Sequence, residues 1–290
     1  MLLPTHTPGT PEWLRQREHR LGGSEIAAVL GLSPFESRFS LWHRKQNLIP
    51  PTADIAVMEW GRRLEPVIAD KLFEDHTELI DLGAATFADE RRIASLDRWA
   101  EDRDGAPVVV EIKTGSTMSG HWDDGIPVWY RAQVQWYLGV TGADHALMAV
   151  LLDGRDYAEH RIDRDADDIA LMDAAARAFL DSIAANVRPD IDADGHTYDA
   201  LRQLHPDITD DETEVDPDLA GEYIASKAAV KASEARHQLA TNRLMAAMGS
   251  CRAAVVDGAR IAYRTARRRP DGTPGLPYLQ ADRKLSKESL

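Results

Sequence analysis

Asp97, Glu111 and Lys113 fall within one short stretch, Ser95 to Thr114, that reads SLDRWAEDRDGAPVVVEIKT. Asp104-Gly105 between two strand-like segments is a hairpin signal, so the expectation is two antiparallel strands with Asp97 near the end of the first. In the second strand a side-chain period of two puts Glu111 and Lys113 on one face and Val108, Val110 and Ile112 on the other. Two acids and a lysine therefore meet beside a hydrophobic sheet. Carboxylates next to a β core are costly when desolvated and unpaired, and a metal ion removes that cost. Two carboxylates with an open side suit Mg²⁺, which takes oxygen ligands and keeps several waters. A neighbouring lysine can orient or deprotonate water, or offset developing negative charge. By itself a Glu-x-Lys triplet is more often a solvated strand face with a cross-strand ion pair, so the surroundings decide.

Those surroundings hold further candidates. Glu12 to Arg20 reads as a helix, Gly22-Gly23 breaks it, and Ser24 is placed as the N-cap of a helix carrying Ile26, Val29 and Leu30. A helix start after Gly-Gly presents free backbone N–H groups, and with Arg17 nearby it offers an anion site; a plain cap beside a surface arginine is the equal alternative. The segment from Asp54 to His76 repeats Trp60, Leu64, Ile68 and Leu72 at four-residue spacing, one buried helical stripe. Glu65 sits one step round from that stripe, where a helix packed on the sheet could aim its carboxylate at Asp97 and Glu111, and Pro66 implies a kink or a helix start. His121, in a flexible connection from Gly115 to Gly125, is a weak candidate ligand. Beyond Pro127 a helix from Val128 to Val140 carries Gln133 and Tyr137 on one face and Gln135 on another.

Composition bounds the setting. The chain has 290 residues, 43% hydrophobic content and one cysteine, Cys251, which cannot form an intrachain disulfide. No apolar run approaches membrane-spanning length and the N-terminus lacks a secretory pattern, so a soluble, reducing, cytoplasmic setting is expected. The net charge of −14 is unusual for a chain that would meet phosphate. Its distribution is uneven: an acidic run gathers between Asp190 and Glu222, whereas Arg252 to Lys287 is rich in arginine and lysine.

The order of elements predicts an α/β sandwich around a mixed sheet. Ala146 to Leu152 is a strand buried on both faces, Tyr157 to Ile162 an edge strand, and Ile169 to Ile183 an amphipathic helix. The expected division is a first domain over 1–190, an acidic linker over 191–216 and a C-terminal module over 217–290. That module would hold a helix from Pro217 to Met248, a hairpin turning at Asp257-Gly258, and a basic tail.

Four motifs in order, W-x₃-R-x₆-S at Trp13, Arg17 and Ser24, WGxxLEP from Trp60 to Pro66, Asp97 with Glu111-x-Lys113, and AQVQWYLGVTG from Ala132 to Gly142, resemble the YqaJ-type phage recombinases. These are relatives of lambda exonuclease in the PD-(D/E)XK nuclease superfamily, and the resemblance spans about residues 10 to 185. It implies a restriction-endonuclease-like fold with a mixed central sheet flanked by helices. It further implies that Glu65, Asp97, Glu111 and the Ile112 carbonyl hold Mg²⁺, with Mn²⁺ able to substitute. Lys113 would be the catalytic lysine, Gln133 and Tyr137 would orient that lysine and water or contact DNA, and Arg17 and Ser24 would receive a DNA 5′-phosphate. The implied activity is a 5′-to-3′ exonuclease on linear double-stranded DNA, working with a single-strand annealing partner as a homo-oligomer such as a trimer. An endonuclease of the same superfamily and a non-catalytic DNA-end-binding module are the alternatives. One departure stands out: the family's Pro-Asp-Gly is Leu96-Asp97-Arg98 here.

Overall fold

The computed structural model describes residues 1–52 and 55–282. Asp54, expected to open the fourth helical segment, and Lys287, at the end of the basic tail, lie outside the described residues. The chain forms two compact units, Met1–Ile208 and Thr209–Leu290. In chain order the first contains β1 (Leu2–Leu3), α1 (Pro11–Arg17), β2 (Leu21–Gly22), α2 (Gly23–Val29), α3 (Arg38–Lys45), α4 (Ala56–Asp75), β3 (Ile80–Asp81), β4 (Ala85–Ala88), β5 (Arg92–Leu96), β6 (Arg98–Glu101) and β7 (Pro107–Gly115). A 3₁₀ turn (Thr117–Ser119), α5 (Val128–Thr141), β8 (His145–Leu152), β9 (Asp156–Asp163), α6 (Ala166–Ala184) and α7 (Gly195–Leu204) complete it.

The central sheet is mixed, in the order β3-β6-β7-β8-β9, with β7 and β8 parallel and the other pairs antiparallel. The alternation read in β7 is realised. Val108, Val110 and Ile112 pack with Ile68, Ala69 and Leu72 of α4, whereas Val109 belongs to the opposite core with Val134 and Leu138 of α5. Because successive strand residues face opposite layers, Glu111 is delivered to the α5 side and anchored there by the valines around it. The result is the expected α/β arrangement of a mixed sheet with helices packed on both faces.

Several local expectations are revised. The helix α4 runs through Pro66 without restarting there, and Trp60 is 63% exposed, so the buried stripe begins only at Leu64. A second sheet, β1-β4-β5-β2, was not foreseen, and Asp97 lies at the step where the chain leaves β5 in that sheet for β6 in the central one. The first unit does not end at residue 190: within the acidic segment α7 docks on α3, its Ala200, Leu201 and Leu204 packing with Phe39 and Ile49. Its register is fixed by Thr197, whose hydroxyl donates to Ser37 Oγ at 2.7 Å.

The second unit contains α8 (Pro217–Met248), β10 (Ala253–Val256), β11 (Ala259–Thr265) and β12 (Tyr278–Ala281). Asp216 caps α8 by accepting from the N–H groups of Asp218 and Leu219. The expected hairpin is present, and β12 adds a third antiparallel strand to β11. Among the described residues no helix is long and apolar enough to cross a membrane.

Candidate active site

Glu111 is the residue most fully enclosed at the site, only 1% exposed. Its Oε1 accepts from the Lys113 ammonium and, at 2.6 Å, from Gln133 Nε2. Gln133 reaches it because α5 places residues 130, 133 and 137 on one face toward β7. The same amide nitrogen lies 2.9 Å from the Tyr137 hydroxyl. Gln135 faces away, donating to the Asp163 carbonyl, as its helical phase predicts. The other oxygen, Glu111 Oε2, is buried and has no partner.

Asp97 approaches from the step between the sheets and accepts the Ile112 N–H at 2.8 Å. Burial first, and then the neighbouring Glu111 charge, push the Asp97 carboxyl well above its ordinary range against the pull of Lys113. Glu111 is also raised, by burial first, with Lys113 opposing and Glu65 adding. Lys113 is raised in turn, because Glu111 and Asp97 outweigh the effect of its burial. Tyr137 is raised by burial and by Glu111. Negative charge in this site therefore exceeds what Lys113 alone balances.

Glu65 is near enough to act on both acids, yet its carboxylate is held by Arg98, Nη1 to Oε1, at 2.8 Å. Arg98, which with Leu96 replaces the flanks of a Pro-Asp-Gly motif, also has its guanidinium 3.6 Å from Asp81. Among the described residues no group of three or more His, Cys, Asp and Glu side chains is arranged to hold a metal ion. A divalent cation fits the Asp97 and Glu111 pair, where an orphaned buried carboxylate oxygen and surplus negative charge coincide. It fits Glu65 only when Arg98 lets go.

Across the Gly22-Gly23 pair from Gln133 and Tyr137 lies a cluster of cations. Buried Glu25 is 3.4 Å from Arg17, 3.0 Å from Lys45 and 3.6 Å from Arg44, and accepts the Gly22 N–H at 2.8 Å. Lys45 also donates to the carbonyls of Arg17 and Arg20, closing the end of α1. Trp13, one turn before Arg17, lies 4.5 Å under its guanidinium, which explains the W-x₃-R spacing. Lys45 is pushed down, by burial first and also by Arg17 and Arg44, although Glu25 opposes; the cluster carries surplus positive charge.

The two glycines join this cluster to the acids. A Cβ on Gly22 would lie 1.8 Å from Arg17 Nη2, and one on Gly23 would lie 2.4 Å from Tyr137 Cε1. Helix α2 therefore starts at Gly23 with Gly22 as its cap residue, and Ser24 is not the N-cap; it sits exposed in the first turn. The sequence reading missed Glu25, Arg44 and Lys45, although S-E at 24 and 25 with R-K at 44 and 45 was open to inspection as a charge-compensated pair of helices. His121 packs edge-on against Trp129 rather than joining the acids.

Glu25 gives a pH signature. Burial alone would raise its pKa, but Lys45, Arg17 and Arg44 outweigh this and hold it down to about 2, against an ordinary 4.5. A depressed acid stabilises the fold above its unfolded pKa and loses that stabilisation as pH falls toward the folded value. Thermal unfolding between pH 5 and 2 should show the wild type losing about 3 kcal/mol from this source. The Glu25→Gln protein, less stable at pH 7, should lack that component; parallel pH profiles would contradict it.

Residues 12–144 match the family described as a YqaJ-like viral recombinase domain. The chain is 28% identical over 203 residues to the uncharacterised protein YqaJ of Bacillus subtilis, covering 67% of this chain and 63% of that protein. It is 27% identical over 150 residues to protein D345L of African swine fever virus, covering 42% of this chain and 43% of that one. The chain thus spans less than two thirds of either relative. The crystal structure of an alkaline exonuclease from Laribacter hongkongensis superposes with a TM-score of 0.51 at 23% identity, over 61% of this chain and 94% of the exonuclease, a likeness of fold. Glu65, Asp97, Glu111, Lys113 and the Gln133–Tyr137 pair all lie inside the segment, residues 12–144, that is similar to the YqaJ-like viral recombinase domain.

Proposed function

We propose that this chain is a Mg²⁺-dependent deoxyribonuclease that digests linear double-stranded DNA from 5′ to 3′ and leaves 3′ single-stranded ends for phage-type recombination. The observation that carries the reading is the buried Glu111, with one oxygen held by Lys113 and Gln133 and the other without a partner, beside Asp97. Mg²⁺, for which Mn²⁺ can substitute, would be held by Asp97, Glu111 and the Ile112 carbonyl, with Glu65 available on release from Arg98. When bound, it supplies charge stabilisation at the scissile phosphate and an activated water. Lys113 acts as a fixed positive charge, held by Glu111 and lying 4.9 Å from the centre of the Tyr130 ring. Gln133 and Tyr137 fix which Glu111 oxygen meets that ammonium. The similarity of the matched segment to a viral recombinase domain, and of the fold to an alkaline exonuclease, agrees with this reading. The expected partners are DNA ends, a single-strand annealing recombinase and further copies of this chain, a trimer included, in the cytoplasm of a phage-infected or bacterial cell.

Arg17 and Ser24 are assigned to the 5′-phosphate, supported by the surplus positive charge around Glu25. Gly22→Ala tests this: a φ of −93° suits any residue, and the added Cβ displaces the Arg17 guanidinium, the end of a flexible side chain, from Glu25, which keeps Lys45 and Arg44 as partners. The expected result is a loss of preference for 5′-phosphate over 5′-hydroxyl ends by about tenfold to a hundredfold, the worth of a charge-assisted hydrogen bond. Digestion of 5′-hydroxyl ends should be unchanged; equal loss on both ends would give Arg17 another task.

The deciding experiment offers linear duplexes with 5′-phosphate or 5′-hydroxyl ends, and closed circular DNA, in Mg²⁺ and in chelator. Metal-dependent loss of linear DNA alone supports the exonuclease. Cutting of the circle would make the protein an endonuclease, and binding of ends without cutting would make it an end-binding module.

A further inference from the structure

Beside the same site runs a series of aromatic rings that the proposed chemistry does not use. Trp122 stacks on Tyr130 at 5.6 Å and 29°, and on His160 at 6.4 Å and 20°. Tyr130 is 5.7 Å from Trp129, against which Phe35 and His121 each stand edge-on, at 6.2 and 5.0 Å. The series is continuous with the site in two ways. Tyr130 presents its face to the Lys113 ammonium, and Gly115, two residues beyond Lys113, leaves room for Trp122, whose Nε1 would lie 2.8 Å from a Cβ there.

Packing accounts for part of this. Trp122 and Tyr130 are half-buried and tie the 116–126 connection onto the sheet. It does not account for Phe35, which is 59% exposed and meets Trp129 edge-on, nor for the exposed ring of His121. An exposed aromatic ring joined through Trp129 and Tyr130 to a lysine that would attend a phosphate matches the two halves of a nucleotide. Aromatic rings take the base without regard to its identity, and cations take the backbone.

We infer that Phe35, backed by Trp129 and His121, is a stacking platform for a base of single-stranded DNA at the mouth of the site. The inference rests on the nuclease reading for the strand whose phosphate lies at Lys113. It is tested by anisotropy binding, in chelator, of an oligothymidylate and an abasic oligonucleotide of equal length and charge. The wild type should bind the thymidylate about tenfold more tightly than the abasic strand, the worth of one stacked base. Phe35→Ala should remove that difference and leave abasic affinity unchanged, and Phe35→Trp should restore it. Equal affinities in the wild type, or a difference kept in Phe35→Ala, would overturn the platform. Base-dependent binding lost in Phe35→Ala, from a wild type that digests no DNA in Mg²⁺, would keep the platform and remove the nuclease. Digestion by a wild type that ignores the base would do the reverse.

Discussion

Lys113→Ala should lower digestion of linear DNA by about 10³-fold or more and, separately, destabilise the fold at neutral pH by about 3 kcal/mol. The two losses have one origin. Glu111 is only 1% exposed on the α5 side of β7, and Lys113 is its cationic partner. Removing one member of a buried pair leaves the other charged and desolvated, which costs far more than the net worth of the pair. Gln133 remains as a neutral donor and offsets only part of that cost. The pH dependence follows from the sign of the shift. A buried acid with its cation removed has its folded pKa raised, so the penalty is full at high pH and fades as falling pH protonates Glu111. Denaturant unfolding at pH 8 and pH 5 should therefore show the gap between variant and wild type narrowing at the lower pH. A gap that is constant or widens would mean that Lys113 stabilises through packing alone.

The parts of this site that the sequence declares are those fixed by local periodicity. Strand alternation sends Glu111 and Val110 to opposite layers, and helical phase puts Gln133 and Tyr137 together with Gln135 on another, equally buried face. The bounds of α8 follow from Asp216-Pro217 and Gly249, because capping is a property of neighbours in the chain. What was not legible depends on partners distant in sequence. The four-stranded sheet contains β1 and β2, each two residues long, and pairs Leu3 with Thr86 and Leu21 with Arg92, so no segment carries a pattern long enough to read. Helix α7 is flanked by acidic residues that mark the stretch as solvated, and only the apolar surface offered by Phe39 and Ile49 makes it a packed element.

Glycine misled in an instructive way. Gly22-Gly23 reads as a chain break that leaves Ser24 to cap the helix. In the fold both glycines instead admit side chains from elsewhere, Arg17 on one side and Tyr137 on the other, and the helix begins at the second of them. The consequence is functional geometry: the cation cluster around Glu25 and the acids at Glu111 stand on two sides of one glycine pair.

Asp97→Asn should separate stability from activity in the opposite sense to Lys113→Ala. Asp97 is raised by burial and by Glu111, so carrying its charge at neutral pH costs folding free energy in the metal-free protein. Asparagine keeps an oxygen for the Ile112 N–H, which Asp97 accepts at 2.8 Å, and leaves the Lys113–Glu111 pair intact. In chelator the variant should therefore melt at a higher temperature than the wild type. The advantage should vanish as pH falls far enough to protonate Asp97 itself. Digestion should nevertheless drop by about 10³-fold or more, because a neutral amide neither attracts a divalent cation nor balances one. Added Mg²⁺ makes the contrast sharper: a ligand that binds only the folded state raises its melting temperature, so the wild type should gain with Mg²⁺ concentration and the variant should gain little. Melting curves crossing in this way would tie the strain measured in chelator to the cation site. A variant less stable than the wild type in chelator, or one that still digests DNA, would remove Asp97 from the site, since neither result is compatible with a desolvated carboxylate kept for a metal.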